Sequence, residues 1–401
     1  MTAEEERKRS DIKKFVIFLF LILFGFVIGS NLEKTKGFQI FSLKSVVSRS
    51  ETITPKELKK SLENKDFILI NVHTPYEGEI VKTDTFIEYD SIKANAARLP
   101  QDKNAKIILY CKSGNMSSQA LKTLKSMGYR NVRHLEGGMD AWKKDGYDLL
   151  DLSSLPNQVL PEQGFELPIS WSDIAPRLIE LGVIDRAKFE KAVSMGEEEK
   201  MIFEGKADIP IRINSGNSQF VVDLLWALGL AQKSLVYEKG PMGGKYKSEV
   251  GSFASTAGWT LAVGPAMKYY NKYDLIGLSD EEQQRVYEIA SNVYRPCCGN
   301  STSFPDCNHG MAALAAIELM VKKGLSDDEI YRNVLKLNSF WFPSSYLTVA
   351  TYFARQGLDW NTVDAKKVLG ADFSSGQGAA KITEEVGPLP FGTKFGGGCG
   401  A

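Results

Sequence analysis

Three of the five cysteines and one of the three histidines of this 401-residue chain fall within the stretch RPCCGNSTSFPDCNHGM, residues 295–311. Cys297, Cys298, Cys307 and His309 offer three thiols and an imidazole, donors that suit Zn²⁺, Cu(I) or an iron–sulfur cluster. Two other chemistries stay open for the same residues. A disulfide from Cys307 to one of the adjacent pair would close a loop of about ten residues, worth ~2–3 kcal/mol. Alternatively, the thiols accept sulfur from elsewhere in the chain. The spacing is not that of a zinc finger, and adjacent cysteines seldom both reach one tetrahedral ion. Near the C-terminus, Cys399 lies in FGTKFGGGCGA. A glycine-embedded thiol has little to pack against, and could swing as a carrier or supply an extra ligand.

The remaining cysteine stands apart. Cys111 directly follows the apolar run KIILY and opens the loop of Lys112, Ser113, Gly114, Asn115, Met116 and Ser117. The loop leads into SSQALKTLKSMGY, where Ala120, Leu121, Leu124 and Met127 share one helical face before Gly128 stops the helix. Backbone N–H groups of such a loop point inward, and the helix N-terminus adds partial positive charge. Both favour a thiolate at Cys111 and make it a nucleophile. The plainer alternative is a small buried hydrophobe at a strand end.

The elements that must position this cysteine can be read around it. FILINV (67–72), KIILY (106–110) and NVRHL (131–135) are buried-strand runs, interleaved with helical patterns. ITPKELKKSLEN opens with a capping box, Thr54 as N-cap and Glu57 three residues on, with Pro55 at the first helical position. This alternation predicts an α/β domain with a parallel sheet over residues 51–148, its chemistry at the C-terminal strand edge.

Residues 51–148 resemble the single-domain rhodanese-like sulfurtransferases. The likeness rests on Cys111, Gly114 and Ser117 in the six-residue loop, and on Gly137, Gly138, Trp142 and Gly146 in LEGGMDAWKKDGY. NVHTPYEGEI (71–80) takes the place of the family's strand-end Asp-Val-Arg segment. The resemblance implies that Cys111 takes a sulfane sulfur from a small donor and holds it as a persulfide. The loop amides would neutralise the anionic outer sulfur, which then passes to a thiol acceptor without any cofactor. The chain departs from the family where Lys112 and Met116 stand in place of loop arginines. A guanidinium grips a thiosulfate-like dianion bidentately, Lys offers a point charge and Met none, so a polysulfide or protein persulfide is the expected donor. Asn71 and His73 replace an Asp–Arg ion pair with a neutral pair, and His73 and His134 are read as structural.

Residues 149–168, rich in Pro, Ser and polar side chains, read as a linker. Beyond it, residues 169–372 predict a predominantly α-helical domain that carries the Cys/His cluster. Its amphipathic runs include QFVVDLLWALGLA and IYRNVLKL, and capping boxes are expected at Ser170/Asp173, Ser279/Glu282 and Ser326/Glu329. The glycine-rich GPMGGKYK is no phosphate loop, because Lys245 is followed by Tyr246. Residues 373–401 read as a mobile Gly-rich tail ending at Cys399.

At the N-terminus, residues 15–32 are apolar enough for a transmembrane signal anchor; the alternative is a cleaved signal peptide, whose small-residue cleavage site Val27 and Gly29 fit poorly. Arg7, Lys8, Arg9, Lys13 and Lys14 before it outnumber the nearby cations after it, which places residues 1–14 in the cytoplasm and the bulk outside. Zero formal net charge without a long basic run argues against a nucleic-acid partner. The chain therefore reads as a membrane-anchored rhodanese-type sulfurtransferase that relays sulfur from Cys111 to the cluster. The alternative is a metal-binding or sensing protein on a non-catalytic rhodanese-like scaffold.

Overall fold

The computed structural model describes residues 50–390. The expected tail 1–14, the anchor 15–32 and Cys399 lie outside them. Among the described residues, no helix is long and apolar enough to cross a membrane.

The first part is the expected α/β unit. In chain order it runs β1 (Thr52–Ile53), α1 (Pro55–Ser61), β2 (Ile68–Asn71), β3 (Thr85–Phe86), β4 (Ile107–Tyr110), α2 (Asn115–Ser126), β5 (Val132–Leu135) and α3 (Gly138–Lys144). The strands form one parallel sheet in the order β1-β5-β4-β2-β3. Alternation sorts its residues onto two cores. Ile70, Ile107 and Leu109 join Leu121 and Leu124 of α2, while Leu69, Ile108 and Tyr110 join Leu58 and Trp142 on the other face. The Thr54/Glu57 capping box forms as expected. Strands β1 and β3 went unpredicted because two residues are too few to display a period.

The helical part departs from expectation in three places. Residues 149–168 are not a linker: they hold a helix, Leu155–Val159, and enter β6 (Phe165–Ser170), which pairs antiparallel with β7 (Pro210–Ile213). Leu152, Leu155 and Val159 are buried in the main core, and Pro156 lies at the start of its helix, where it needs no N–H partner. The presumed mobile tail contains the helix Gly376–Val386, capped by Ser375. Its glycine content serves close packing, since a Cβ on Gly378 would stand 2.2 Å from the Ala371 carbonyl. The Ser170/Asp173 box does not form, because Ser170 is spent in β6. The boxes at Ser279/Glu282 and Ser326/Glu329 do form.

From Glu51 onward the described chain is one compact unit. Arg355, which ends the helix Pro343–Arg355, sends Nε and Nη2 to the two carboxylate oxygens of Glu79, each at 2.8 Å. Both side chains are shielded from solvent, at 2% and 0% exposure. Arg355 Nη1 donates to the Val386 carbonyl at 2.9 Å, and Lys82 N–H donates to the Arg355 carbonyl at 2.7 Å. The α/β unit is therefore fastened to the helical part and is not a bead on a string.

Two outcomes follow. Arg355→Ala strands the Glu79 carboxylate in the interior and is expected to cost about 3–5 kcal/mol in denaturant unfolding. Glu318, fully buried on the core helix Asn308–Lys322, has its carboxyl pushed by burial up to about 8. Its folded value lies above its ordinary one, so the stability it contributes is present at low pH and lost as pH rises from about 4.5 to about 8. Glu318→Gln should flatten that part of the stability–pH curve and raise stability at pH 8 by ~2–4 kcal/mol, read by thermal or urea unfolding.

Candidate functional site

Cys111 leaves the C-terminal end of β4, the central strand of the sheet, and is 1% exposed. The backbone of the next residues turns over its sulfur. Gly114 N–H donates to Cys111 Sγ at 3.1 Å and Ser117 N–H donates at 3.3 Å. Gly114 makes this turn possible: it is the residue before α2, with φ of 95°, a conformation that side chains disfavour. Two amides and the start of a 12-residue helix thus converge on one sulfur.

A second glycine turn supports the first. Met139 N–H and Asp140 N–H, from the first turn of α3, donate to the carbonyls of Cys111 and Lys112, both at 2.9 Å. Gly138 has φ of 59°, and a Cβ there would stand 2.2 Å from the Cys111 carbonyl oxygen. The LEGGMDAW motif therefore fixes the loop from behind.

The side chains around the loop differ from their expected roles. Lys112, the loop's one cation, pairs with Glu77 at 2.8 Å on the surface, so it adds little net charge for a donor. Asn71 and His73 do not pair through their side chains. Asn71 accepts from His73 N–H and donates to the Gly78 carbonyl, both at 3.0 Å, so its side chain does not hold the His73 ring, whose Nε2 lies 3.6 Å from Glu77 Oε1. That ring lies beside the loop, with Nδ1 3.4 Å from Met116 Sδ. His134 reaches the cradle as well, its Nδ1 3.3 Å from the Ser117 hydroxyl, which lies 3.5 Å from Cys111 Sγ. Burial lowers the His134 imidazole below its ordinary value, which favours its neutral form. Spacing alone gave no sign of the Cys111–Ser117–His134 array, because its members come from the end of β4, the first turn of α2 and the adjacent strand β5.

The second candidate group is assembled around the N-terminus of the helix Asn308–Lys322, with Cys307 as its N-cap. Cys297, Cys298 and Cys307 converge, with their sulfurs within 4.8 Å of one another and Cys297 and Cys307 3.6 Å apart. His309 is not part of this group. It faces Trp341 and Phe342, with ring centroids at 5.7 and 4.5 Å, and burial pushes its imidazole down to about 4. Two residues on from the N-cap, a helical side chain leaves in another direction, so sequence proximity misled.

Arg295 takes the fourth place beside the sulfurs, a role that the sequence reading did not give it. Fully buried, it donates from Nε to Cys307 Sγ at 3.2 Å and from Nη2 to Asp306 at 2.9 Å. Hydrogen bonds from the Cys297 and Cys298 thiols, then the nearby guanidinium, hold Cys307 well below the ordinary thiol value. Hydrogen bonding to its two neighbours drives Cys297 in the opposite direction.

Gly138→Ala tests the support for the cradle. It should destabilise the chain by at least ~2 kcal/mol and slow alkylation of Cys111, because the carbonyl held by Met139 N–H must move. Equal stability and equal alkylation rate would detach α3 from the site.

The family model for the rhodanese-like domain matches residues 54–145. An uncharacterized protein of Synechocystis sp. is 33% identical over 120 residues, 29% of this chain and 66% of that protein. The probable adenylyltransferase/sulfurtransferase MoeZ of Mycobacterium tuberculosis is 39% identical over 102 residues, 24% of this chain and 26% of that protein. A protein named sulfurtransferase from Allochromatium vinosum is 28% identical over 90 residues, 22% of this chain and 82% of that protein. The chain thus covers about two thirds of the first relative and about a quarter of the second. Among solved structures, a rhodanese-like domain protein from Staphylococcus aureus is 30% identical with a TM-score of 0.22, covering 25% of this chain and 98% of that one. With Cys111 at the sheet edge, inside a turn of inward amides, residues 54–145 form a rhodanese-like domain.

Proposed function

We propose that this chain is a sulfurtransferase carrying sulfane sulfur as a persulfide on Cys111. One observation carries the reading: Cys111 Sγ accepts two backbone N–H donors, from Gly114 at 3.1 Å and Ser117 at 3.3 Å. Amide donors fixed on a sulfur favour its anionic form, and so favour both the attacking thiolate and the persulfide anion. The Cys111 thiolate attacks the outer sulfur of a sulfane donor. A new S–S bond forms, the donor's S–S bond breaks, and the shortened donor leaves as a thiolate or hydrosulfide. An acceptor thiolate then attacks the outer sulfur and returns Cys111 to its starting state.

The surroundings favour a small donor of low charge. Cys111 is almost wholly covered, Met116 is apolar and Lys112 is tied to Glu77. A persulfide or an organic polysulfide therefore suits the site better than the thiosulfate dianion. The acceptor is a thiol. Cys297, Cys298 and Cys307 are acceptors within the same chain when their sulfurs carry nothing else. The apolar run of residues 15–32 supports anchoring of this activity to a membrane, with the described part on the extracytoplasmic side.

A sulfur-transfer assay on the full chain tests the proposal, with a polysulfide donor and a small thiol acceptor. Cys111→Ser should lower turnover by at least ~100-fold. Met116→Arg should raise thiosulfate use relative to polysulfide use, since it restores a guanidinium to the loop. Unchanged turnover in Cys111→Ser would end the proposal. The second reading, a metal-binding protein on an inert rhodanese-like scaffold, would then stand on the three converging sulfurs alone.

A further inference from the structure

The described part holds one group of sulfurs that sulfur transfer at Cys111 does not require. Cys297 and Cys298 follow Pro296 after the helix Asp280–Ala290, and Cys307 caps the next core helix, Asn308–Lys322. The connecting loop is held by backbone bonds from Thr302 to Val293 and from Ser303 to Ala290, and by Gly376 N–H to the Cys298 carbonyl at 2.7 Å. Several elements therefore cooperate to bring three thiols to one point. Space has been cleared for Arg295 as well, since a Cβ on Gly310 would stand 2.8 Å from its guanidinium carbon.

We infer that Cys297, Cys298 and Cys307 form a three-thiolate site for one thiophilic divalent cation of the zinc(II) class, with buried Arg295 as its counter-charge. Zinc–thiolate bonds of about 2.3 Å in a tetrahedral site give a sulfur–sulfur edge of about 3.8 Å. Here one edge is 3.6 Å and the others are no longer than 4.8 Å, so closing onto one ion takes only small side-chain movements. An iron–sulfur cluster spreads its thiolates over more than one iron and needs wider spacing than this. A disulfide would use two of the sulfurs and leave the convergence of the third without a purpose.

The charges point to a divalent ion. Three thiolates and Asp306 face one guanidinium, so a divalent cation brings the buried group within one charge of neutrality and a monovalent one only within two. The Arg295 Nε donation to Cys307 Sγ is the kind of outer hydrogen bond that orients a metal-bound thiolate and spreads its charge. Because His309 is turned away, the described residues supply three ligands and leave a fourth position to another donor, such as water or a thiol. Binding displaces the thiol protons, so affinity rises with pH. An occupied site would also withhold its thiols from sulfur, which separates this inference from the relay.

The test uses the full chain, reduced and stripped of metal by a chelator under anaerobic conditions. It is titrated with Zn²⁺ against a chromophoric chelator and, separately, with Co²⁺. One Zn²⁺ per chain and a thiolate-to-cobalt absorption band are expected. Cys297→Ser and Cys307→Ser should each weaken Zn²⁺ binding by at least ~100-fold, and Arg295→Gln by ~10–100-fold with the cobalt band retained. Cys298→Ser, at a partly exposed position, gives a third ligand variant if the other two fail to fold, as judged by circular dichroism. Cys111→Ser should bind Zn²⁺ as the parent does. The inference is overturned by absence of the cobalt band, by equal affinity in folded ligand variants, by uptake of Cu(I) but not Zn²⁺, or by a Cys297–Cys307 disulfide that survives the reduction.

Discussion

A buried carboxylate and a buried guanidinium hold the two parts of this chain together. Removing Glu79 and Arg355 from water is expensive, and their attraction offsets that cost only because the contact is bidentate and Arg355 is further bonded to Val386. The pair also reaches the chemistry. Glu79 lies in the segment between β2 and β3, and the neighbouring Ile80 N–H and Thr83 hydroxyl bond to the phenol oxygen of Tyr110 at 3.1 and 2.6 Å. Tyr110 is the last residue of β4 and directly precedes Cys111. The helical part thus braces the strand end that presents the thiol, and Glu77, in the same segment, takes the charge of Lys112.

Within that frame, backbone groups are the chief contacts at the thiol. Two amides meet the Cys111 sulfur, and two more from α3 fix the carbonyls of Cys111 and Lys112. The Ser117 hydroxyl, 3.5 Å from Cys111 Sγ, adds a side-chain contact that links the thiol to His134. Such a cradle tolerates the change from loop arginines to Lys112 and Met116, because the amides that meet the sulfur of Cys111 belong to Gly114 and Ser117 and not to those two side chains. What changes is the outer charge that a donor meets on approach.

The α/β part was legible because its signals are local. Strands β2, β4 and β5 each carry apolar runs, the Thr54/Glu57 box marks a helix start, and Gly114 and Gly138 stand where left-handed backbone is needed. The misreadings share one cause. Pro156 and the glycines after Ser375 looked like loop signals by composition, yet they serve a helix start and close packing, which only tertiary neighbours reveal. Arg295 was invisible as a partner of Cys307 for the same reason. A guanidinium twelve residues away becomes a neighbour only once the loop has folded back. His309 erred the other way, close in sequence but turned toward aromatic rings.

The central claim is that the amide cradle makes Cys111 a carrier of sulfur. The most direct measurement is peptide mass mapping of the full chain after a single exposure to polysulfide, repeated after a thiol acceptor is added. The account predicts one added sulfur on the Cys111 peptide, lost when the acceptor arrives. A Cys111 peptide that never gains mass, in protein that is folded and reduced, would contradict it.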